Sequence, residues 1–237
     1  KNRGGWIIWE AYTCDNEKWI DCKFDLNFKL VKSKKTKTEY IYSLSKLLRK
    51  INELSPGFAG QGLNILTNLE FKRNWGLGSS STLINNISNW LNVNPYELLK
   101  KTFQGSGYDI GVANSKKPIF FQKKDDFNKI IQTKFSPPFR DNLFFIHLNK
   151  KVNSQKEVVK FLNHKNEFKD DISKINSLGD MVVKEQNQDN FNEIVKEHEE
   201  IISTIICKKP IQKTLFKDFS GQIKSLGSWG GDFILAS

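Results

Sequence analysis

The feature that most constrains this fold is an abrupt change of hydrophobic period on either side of a glycine–serine loop. Apolar residues alternate from Leu63 to Phe71, which is typical of a strand, and then recur at helical spacing from Ser80 to Leu91. Between them stands Gly76-Leu77-Gly78. Glycine lets the backbone approach a ligand closely, and the free N–H groups of a helix N-terminus form an anion site. Serine is also a favoured capping residue, so a plain helix cap explains the same pattern equally well.

Glycine is concentrated at three places, which suggests loops that hold a ligand, although turn formation explains part of the pattern. Nine of the fifteen glycines lie at positions 76 and 78, at 105, 107 and 111, and at 221, 227, 230 and 231. The first cluster is neither a Walker A loop, because no Gly-Lys-Ser/Thr follows, nor a dinucleotide-binding GxGxxG. Asp109, in the second cluster, is by itself either a functional carboxylate or a helix N-cap.

The periodicity elsewhere predicts an α+β fold with mixed or antiparallel sheets, organised as two lobes. A hairpin with its turn at residues 15–17 comes first, and a helix follows from Tyr40 to Leu54. Further strands are predicted at 118–122, 129–135, 143–148, 223–226 and 233–236, and further helices at 95–103, 154–162, 168–185 and 191–206. We place the N-terminal lobe, which holds the glycine–serine loop, at residues 1–142 and the C-terminal lobe at 143–237.

Composition and charge argue against several classes of protein. No run of 18 apolar residues could span a membrane, and no signal peptide is visible. Three cysteines without a CxxC pattern argue against disulfides and a zinc site, and indicate the reducing cytoplasm. The net charge of +11 fits nucleic acid, an anionic small substrate or merely a lysine-rich surface. The densest basic cluster, residues 32–37, lies in a predicted loop without a nucleic-acid-binding motif, so nucleic acid is the weaker alternative.

The three histidines form no metal-site pattern. His147 lies in an otherwise apolar strand, where a histidine is usually a core residue with satisfied hydrogen bonds, and His164 lies near a helix end. His198 belongs to the charged run 196–200, which is suited to ion pairs on a helix surface.

Three motifs, in the right order, resemble those of the GHMP kinase superfamily. Gly76-Leu77-Gly78-Ser79-Ser80-Ser81 resembles its phosphate-binding second motif, whose core reads Gly-Leu-Gly-Ser-Ser. Gly105-Ser106-Gly107-Tyr108-Asp109-Ile110 resembles the Ser-Gly-x-Asp segment and carries the wording that names the GYDIA branch. Residues 224–232 resemble the glycine-rich third motif. The chain is therefore similar to GYDIA-family GHMP kinases, which are mevalonate or phosphomevalonate kinase-like, and the resemblance implies their two-lobed fold.

The resemblance implies a role for each matching residue. Backbone N–H groups of the second motif would hold the ATP phosphates, here at Gly76, Leu77, Gly78, Ser79, Ser80 and Ser81. The Ser80 hydroxyl would bind Mg²⁺, and Glu97 is a weaker metal-ligand candidate, one position out of register, for which a solvent-exposed helix glutamate is the alternative. Asp109 would be the catalytic carboxylate that accepts or orients the proton of the attacking hydroxyl. Substrate-binding candidates by the same resemblance are Lys151, Ser154, Gly230 and Gly231.

The implied function is an ATP- and Mg²⁺-dependent kinase that phosphorylates a hydroxyl or phosphate of a small, mevalonate-like metabolite. Its implied partners are a nucleotide and that substrate, with no nucleic acid and no membrane, and homodimerisation stays open. Some features depart from the family pattern: Arg73-Asn74-Trp75 replaces the usual proline, and Trp229 interrupts the third motif. The first motif, with its lysine, has no counterpart, and we expect segments to be missing from both ends. The alternatives are a diphosphomevalonate decarboxylase-like enzyme, a non-catalytic nucleotide-binding protein and a basic nucleic-acid-binding protein.

Overall fold

The computed structural model has the α+β fold that the sequence predicts, and its contacts divide the chain into two compact units. It describes residues 4–60, 62–103, 105–124, 128–150, 161, 168–227, 229 and 231–237. The first unit comprises Lys1–Arg73 and Leu77–Ile131, and the second comprises Asn74–Gly76 and Gln132–Ser237. The sequence-based boundary lies after residue 142, eleven residues later than the division seen here. Residues 132–142 join the second unit because Phe135 and Phe139 pack against Phe191 there.

The first unit is built on a mixed four-stranded sheet in the order β3-β2-β1-β4. Its strands β1 and β4 are parallel, and the other two pairs are antiparallel. A separate two-stranded sheet pairs β5 with β6. The elements are β1 (Ile7–Tyr12), β2 (Lys18–Phe24), β3 (Leu30–Ser33), α1 (Thr38–Leu54), β4 (Leu63–Asn68), α2 (Ser79–Leu91), α3 (Pro95–Lys101), α4 (Tyr108–Ala113), β5 (Ile119–Lys123) and β6 (Asn128–Gln132).

The core of the first unit follows from the two periods in its sequence. Alternate residues of β1 face inward, so Ile7, Trp9 and Ala11 are buried while their neighbours are partly exposed. Helix α1 buries one stripe at the i, i+3, i+4, i+7 spacing, formed by Leu44, Leu47, Leu48 and Ile51. Helix α2 is anchored in the same core by Ile84 and Ile87. The N-terminal end of α2 is thereby fixed while its first residues stay at the surface.

The second unit contains an antiparallel three-stranded sheet in the order β7-β9-β8, with helices packed beside it. Its elements are a short 3-10 helix (Arg140–Asn142), β7 (Phe144–His147), α5 (Lys169–Val182), α6 (Gln188–Ile205), α7 (Gln212–Leu215), β8 (Ile223–Ser225) and β9 (Phe233–Ala236). Helices α5 and α6 pack against each other, and α6 also contacts β8. In the part of the chain that the structure describes, no helix combines the length and apolar character needed to cross a membrane.

The sequence-based assignment of elements fails at β3. Residues 32–37 were predicted to form a solvated loop, but Lys32 and Ser33 belong to β3, which pairs with β2. The strand was missed because it is mostly exposed and its lysines break the hydrophobic alternation. The helix predicted at 154–162 falls on residues that lie, except for 161, outside the described part of the chain.

Candidate functional site

The loop that follows β4 turns at two glycines in the left-handed region of backbone space. Gly76 has φ of +70° and Gly78 has φ of +68°. L-residues pay roughly 1 kcal/mol or more for this conformation, so glycine is the natural residue at both turns. The loop also divides between the units: Gly76 belongs to the second unit, and Leu77 to Ser81 belong to the first.

Helix α2 begins without a side-chain cap. Its N-cap residue is Gly78, and no side chain in the described part of the chain accepts a hydrogen bond from the N–H groups of the first turn. By contrast, α3 begins with Asn94, whose Oδ1 accepts from the N–H groups of Tyr96 at 2.9 Å and of Glu97 at 3.3 Å. The plain-cap interpretation of the serines is therefore wrong, because the capping position is occupied by a glycine. The first-turn N–H groups of α2 remain directed toward solvent or a ligand.

Three hydroxyl groups surround this helix end. Ser79 and Ser80 are exposed, and Ser81 is half-buried. The first intrahelical hydrogen bond runs from the Thr82 N–H to the Gly78 carbonyl at 3.0 Å. An anion at the N-terminus of α2 would thus meet backbone donors, hydroxyl donors and the positive end of the helix dipole together.

Asp109 lies against this loop. A Cβ atom built on Gly78 would stand 3.1 Å from both Cγ and Oδ2 of Asp109, so the carboxylate contacts the glycine directly. Asp109 is the second residue of α4, whose N-cap is Gly107, and its side chain caps nothing. The N-cap alternative for Asp109 is therefore also wrong. Residues 31 positions apart in the sequence are brought together at an exposed place.

Close packing of α4 explains two other glycines of the second cluster. A Cβ on Gly107, which has φ of +82°, would stand 2.8 Å from Cδ1 of Tyr96. A Cβ on Gly111 would stand 3.2 to 3.3 Å from side-chain atoms of Ile119, Phe121 and Ile130. These glycines let α4 pack onto α3 and onto the two-stranded sheet, and that packing holds Asp109 at the start of α2.

The residue types at this place suit a phosphate group accompanied by Mg²⁺. A carboxylate next to an anion site repels the bound anion unless a cation lies between the two negative charges. Mg²⁺ is bound through one or two carboxylates and substrate phosphates while it keeps several waters, and a serine hydroxyl completes such a set. Among the described residues no group of three or more His, Cys, Asp or Glu side chains could hold a metal ion by itself. Ser80 and Asp109 would be its protein neighbours here.

Two of the other predicted site residues, Glu97 and Gly231, belong to the described part of the chain. Glu97 is exposed and forms an i, i+4 ion pair with Lys101 at 3.0 Å, which favours the surface interpretation over the metal-ligand one. Gly231 is buried in the second unit, directly before Asp232. Lys151, Ser154 and Gly230 lie outside the described residues.

Asp232 occupies a place in the second unit that corresponds to that of Asp109 in the first. A Cβ built on Gly76 would stand only 2.5 Å from Cγ of Asp232, so this carboxylate also packs on a loop glycine. The Asp232 N–H donates to the Lys150 carbonyl at 2.6 Å, and its carbonyl accepts from the Leu148 N–H at 2.8 Å. These bonds tie the third motif to the end of β7. The order of the motifs identifies residues 224–232 as a candidate ligand loop. No sequence pattern predicts that residue 232 contacts residue 76.

A buried charged cluster joins α6 to β8 in the second unit. Glu199 has a side chain only 2% exposed, accepts from Lys224 Nζ at 3.3 Å and accepts from the Ser225 N–H at 3.1 Å. Lys224 Nζ also lies 3.0 Å from Nδ1 of His198. Burial raises the pKa of the Glu199 carboxyl and lowers the pKa of the Lys224 amine, while their mutual attraction opposes both shifts. Burial, followed by the charge of Lys224, lowers the pKa of His198 to about 4, so the ring is neutral near pH 7.

The interpretation of residues 196–200 as ion pairs on a helix surface is wrong for Glu199, although Lys and Glu residues on either side of it form exposed ion pairs. Glu199 is buried because it continues the stripe formed by Phe191 and Val195 at four-residue spacing. The four-residue spacing could have predicted the burial of Glu199, but the charged residues around it favoured a surface interpretation. His147 also differs from expectation: its Nε2 is buried, and within the described residues it has no hydrogen-bond partner.

Comparison with known proteins bears on the fold. A scan against protein-family models and a search of curated proteins gave no match. Among solved structures, the crystal structure of a Lin0012 protein from Listeria innocua is similar, with a TM-score of 0.62. The two sequences are 16% identical, and the similarity covers 97% of this chain and 78% of that chain. At this identity the likeness shows a shared fold alone, and the name of the Listeria protein states no activity.

Proposed function

We propose that the protein is an ATP- and Mg²⁺-dependent small-molecule kinase of the GHMP type. The observation that carries the proposal is the contact between the Asp109 carboxylate and Gly78 at the uncapped start of α2. Phosphoryl transfer needs an anion site, a cation and a carboxylate within reach of the acceptor. In the first unit, the uncapped start of α2 would serve as the anion site, and the Asp109 carboxylate lies next to it.

Each residue has a distinct task in this proposal. The N–H groups of Ser79, Ser80 and Ser81 bind and orient the phosphates of ATP. The Ser80 hydroxyl would help to hold Mg²⁺, which would neutralise phosphate charge when bound. Asp109 accepts a hydrogen bond from the acceptor hydroxyl and takes its proton as the acceptor oxygen bonds to the γ-phosphorus of ATP. The bond from that phosphorus to the bridging oxygen breaks in the same step, and ADP leaves. These groups position the reactants and stabilise charge, and these two effects dominate catalysis of phosphoryl transfer.

The acceptor class rests on sequence resemblance. The three motifs resemble those of mevalonate and phosphomevalonate kinase-like enzymes, so a hydroxyl or phosphate of a small anionic metabolite is the proposed acceptor. The net charge of +11 is compatible with an anionic substrate. Product analysis separates a kinase from a decarboxylase-like enzyme, because both release ADP but only the second releases CO₂.

Nucleotide binding with and without Mg²⁺ tests the proposal. We expect saturable binding of Mg²⁺-ATP by titration calorimetry, and we expect Ser80→Ala to weaken it about tenfold, as for one lost hydrogen bond to a charged group. ATP without Mg²⁺ should bind weakly and should respond little to Ser80→Ala. The matched control is Ser173→Ala, which removes an exposed helix hydroxyl in the second unit. Absence of Mg²⁺-ATP binding at millimolar concentration, or equal loss in the control, would reject the kinase.

A further inference from the structure

A cavity in the second unit combines three lysines with hydroxyl groups. It has a volume of about 190 Å³ and is partly open to solvent. The walls come from the loop that follows β7, the segment between α6 and α7, α7 itself, β8 and the loop that follows β8. The lining residues are Lys150, Lys208, Lys209, Ile211, Thr214, Leu215, Ser225 and Trp229.

The electrostatic character of the cavity is positive. Lys150, Lys208 and Lys209 line it, and no Asp or Glu among the described residues belongs to the lining. Within the described residues, no carboxylate forms an ion pair with Lys150 or Lys209. The nearby Glu199 is already paired with Lys224. Like charges gathered around one concave space repel each other and are stabilised by a bound anion.

The buried hydroxyl of Ser225 is an independent sign of a ligand. Ser225 is only 5% exposed, and its Oγ is shielded from water. The hydroxyl is near enough to Glu199 to favour the charge of that carboxylate, but it makes no hydrogen bond of ordinary length and angle with any described residue. A buried polar group without a partner costs roughly 1–3 kcal/mol, so such groups usually meet a ligand or water. Here the residue lines the lysine-rich cavity.

The wall that carries Ser225 is rigidly held. Strand β8 lies at an edge of its sheet, and side chains satisfy the outward N–H groups of this edge. Gln212 Oε1 accepts from the Ile223 N–H at 2.9 Å, and Glu199 Oε2 accepts from the Ser225 N–H at 3.1 Å. The Gln212 side chain also donates to the Gly221 carbonyl at 2.8 Å. The cavity is therefore preformed, which lowers the entropic cost of binding.

We propose that this cavity binds a phosphate-sized anion. Its volume corresponds to about six waters at roughly 30 Å³ each. That is smaller than the roughly 300–1,000 Å³ of sites for larger organic ligands, and a phosphate group fits this volume. Lys150, Lys208 and Lys209 supply the charge, and the Ser225 hydroxyl supplies a directional hydrogen bond. The site uses residues of the second unit only and does not rest on the proposed kinase activity.

Titration with inorganic phosphate at constant ionic strength tests the site. We expect saturable binding by calorimetry and a saturable change in tryptophan emission that Trp229→Phe removes. Lys209→Gln should weaken phosphate binding about tenfold, as expected when one charge-assisted hydrogen bond is lost. Ser225→Ala should weaken binding severalfold and leave the melting temperature unchanged or higher, because it removes a buried hydroxyl without a partner.

Lys213→Gln is the matched control, because it removes the same charge from α7 outside the cavity, where Lys213 faces Glu200. It should leave phosphate affinity unchanged. Equal losses in Lys209→Gln and Lys213→Gln would reduce the effect to general surface charge and overturn the site, as would a non-saturable response or an unaltered affinity in Ser225→Ala. Glycerol phosphate, titrated in parallel, distinguishes the source of the anion: tighter binding than inorganic phosphate identifies a phosphate ester. Equal or weaker binding identifies the free ion, and both results support the site.

Discussion

The carboxylate of Asp109 in the first unit and that of Glu199 in the second are held in opposite ways. Asp109 is exposed and touches the backbone of Gly78, and among the described residues no Lys or Arg pairs with it. Glu199 is 2% exposed and is bound by both the Lys224 amine and the Ser225 N–H. One carboxylate is accessible and uncompensated, and the other is desolvated and fully engaged.

Under the proposed function, this difference separates a carboxylate with a chemical task from one with a structural task. A catalytic carboxylate must be accessible to the substrate hydroxyl whose proton it accepts. A neighbouring anion site would hold the phosphate donor close to that hydroxyl. A buried pair such as Glu199–Lys224 gains its energy from good geometry in a low-dielectric place and loses it when one partner is removed. We therefore expect variants of Asp109 to affect activity, and variants of Glu199 to affect stability.

The largest expected effect is on turnover in Asp109→Asn. The variant should lose phosphoryl transfer by about 10²–10⁴-fold, because asparagine cannot accept the proton of the acceptor hydroxyl. Stability should change by less than about 0.5 kcal/mol, since the side chain is exposed and caps nothing. ATP without Mg²⁺ should bind more tightly to the variant, because a negative charge beside the anion site is gone.

Asp170→Asn provides the control for that variant. Asp170 is also the second residue of a helix and is also exposed, but it lies in the second unit. Turnover with a panel of hydroxy acids and sugars, nucleotide affinity and thermal melting are measured for both variants. Unaltered turnover in Asp109→Asn would remove this residue from the mechanism, and a large loss of stability would make its role structural.

The next effect is on stability in Glu199→Leu. This variant leaves the half-buried amine of Lys224 without a counter-charge and the Ser225 N–H without an acceptor, so unfolding should become easier by about 2 kcal/mol. The double variant Glu199→Leu/Lys224→Met should recover most of the loss. Glu200→Gln is the control, because the exposed pair between Glu200 and Lys213 is worth under about 1 kcal/mol. Denaturant unfolding measures all three, and no recovery in the double variant would show that lost packing, rather than the unpaired charge, dominates.

The smallest effect concerns pH and His198. The folded-state pKa of about 4 lies below the ordinary value of about 6.5, so the unfolded chain binds this proton more readily. The contribution of His198 to stability is complete above about pH 6.5 and is lost as the pH falls toward 4. The raised pKa of Glu199 opposes this trend at the acidic end.

His198→Gln should therefore flatten the fall in melting temperature between pH 6.5 and pH 4. Asp109→Asn, in the other unit, should keep the pH profile of the unaltered protein. Melting curves by circular dichroism at half-unit pH steps provide the comparison. Parallel profiles for the unaltered protein and His198→Gln would mean that the imidazole is protonated as easily in the folded state as in the unfolded chain.

Most elements of the fold were predictable because their causes are local. Alternation in β1 and the four-residue stripe of α1 encode which face of each element is apolar, and the turn at residues 15–17 closes the first hairpin through a positive φ at Asn16. Strand β3 was not predicted because it has no apolar pattern of its own. It is a strand because it pairs with β2. Local sequence patterns indicate which backbone dihedral angles a segment prefers and which of its faces is apolar. An exposed edge strand such as β3 has neither a strong dihedral preference nor an apolar face.

The sequence by itself determined that a glycine–serine loop joins a strand to a helix, and resemblance alone selected Asp109 as its companion. Only the tertiary structure decided that Asp109 touches Gly78, that Asp232 touches Gly76 and that Glu199 is buried against Lys224. These contacts join residues 31, 156 and 25 positions apart, and each depends on which apolar faces pack together. The environment of a charged side chain is set by the partners that packing brings to it, and residue order does not contain that information locally.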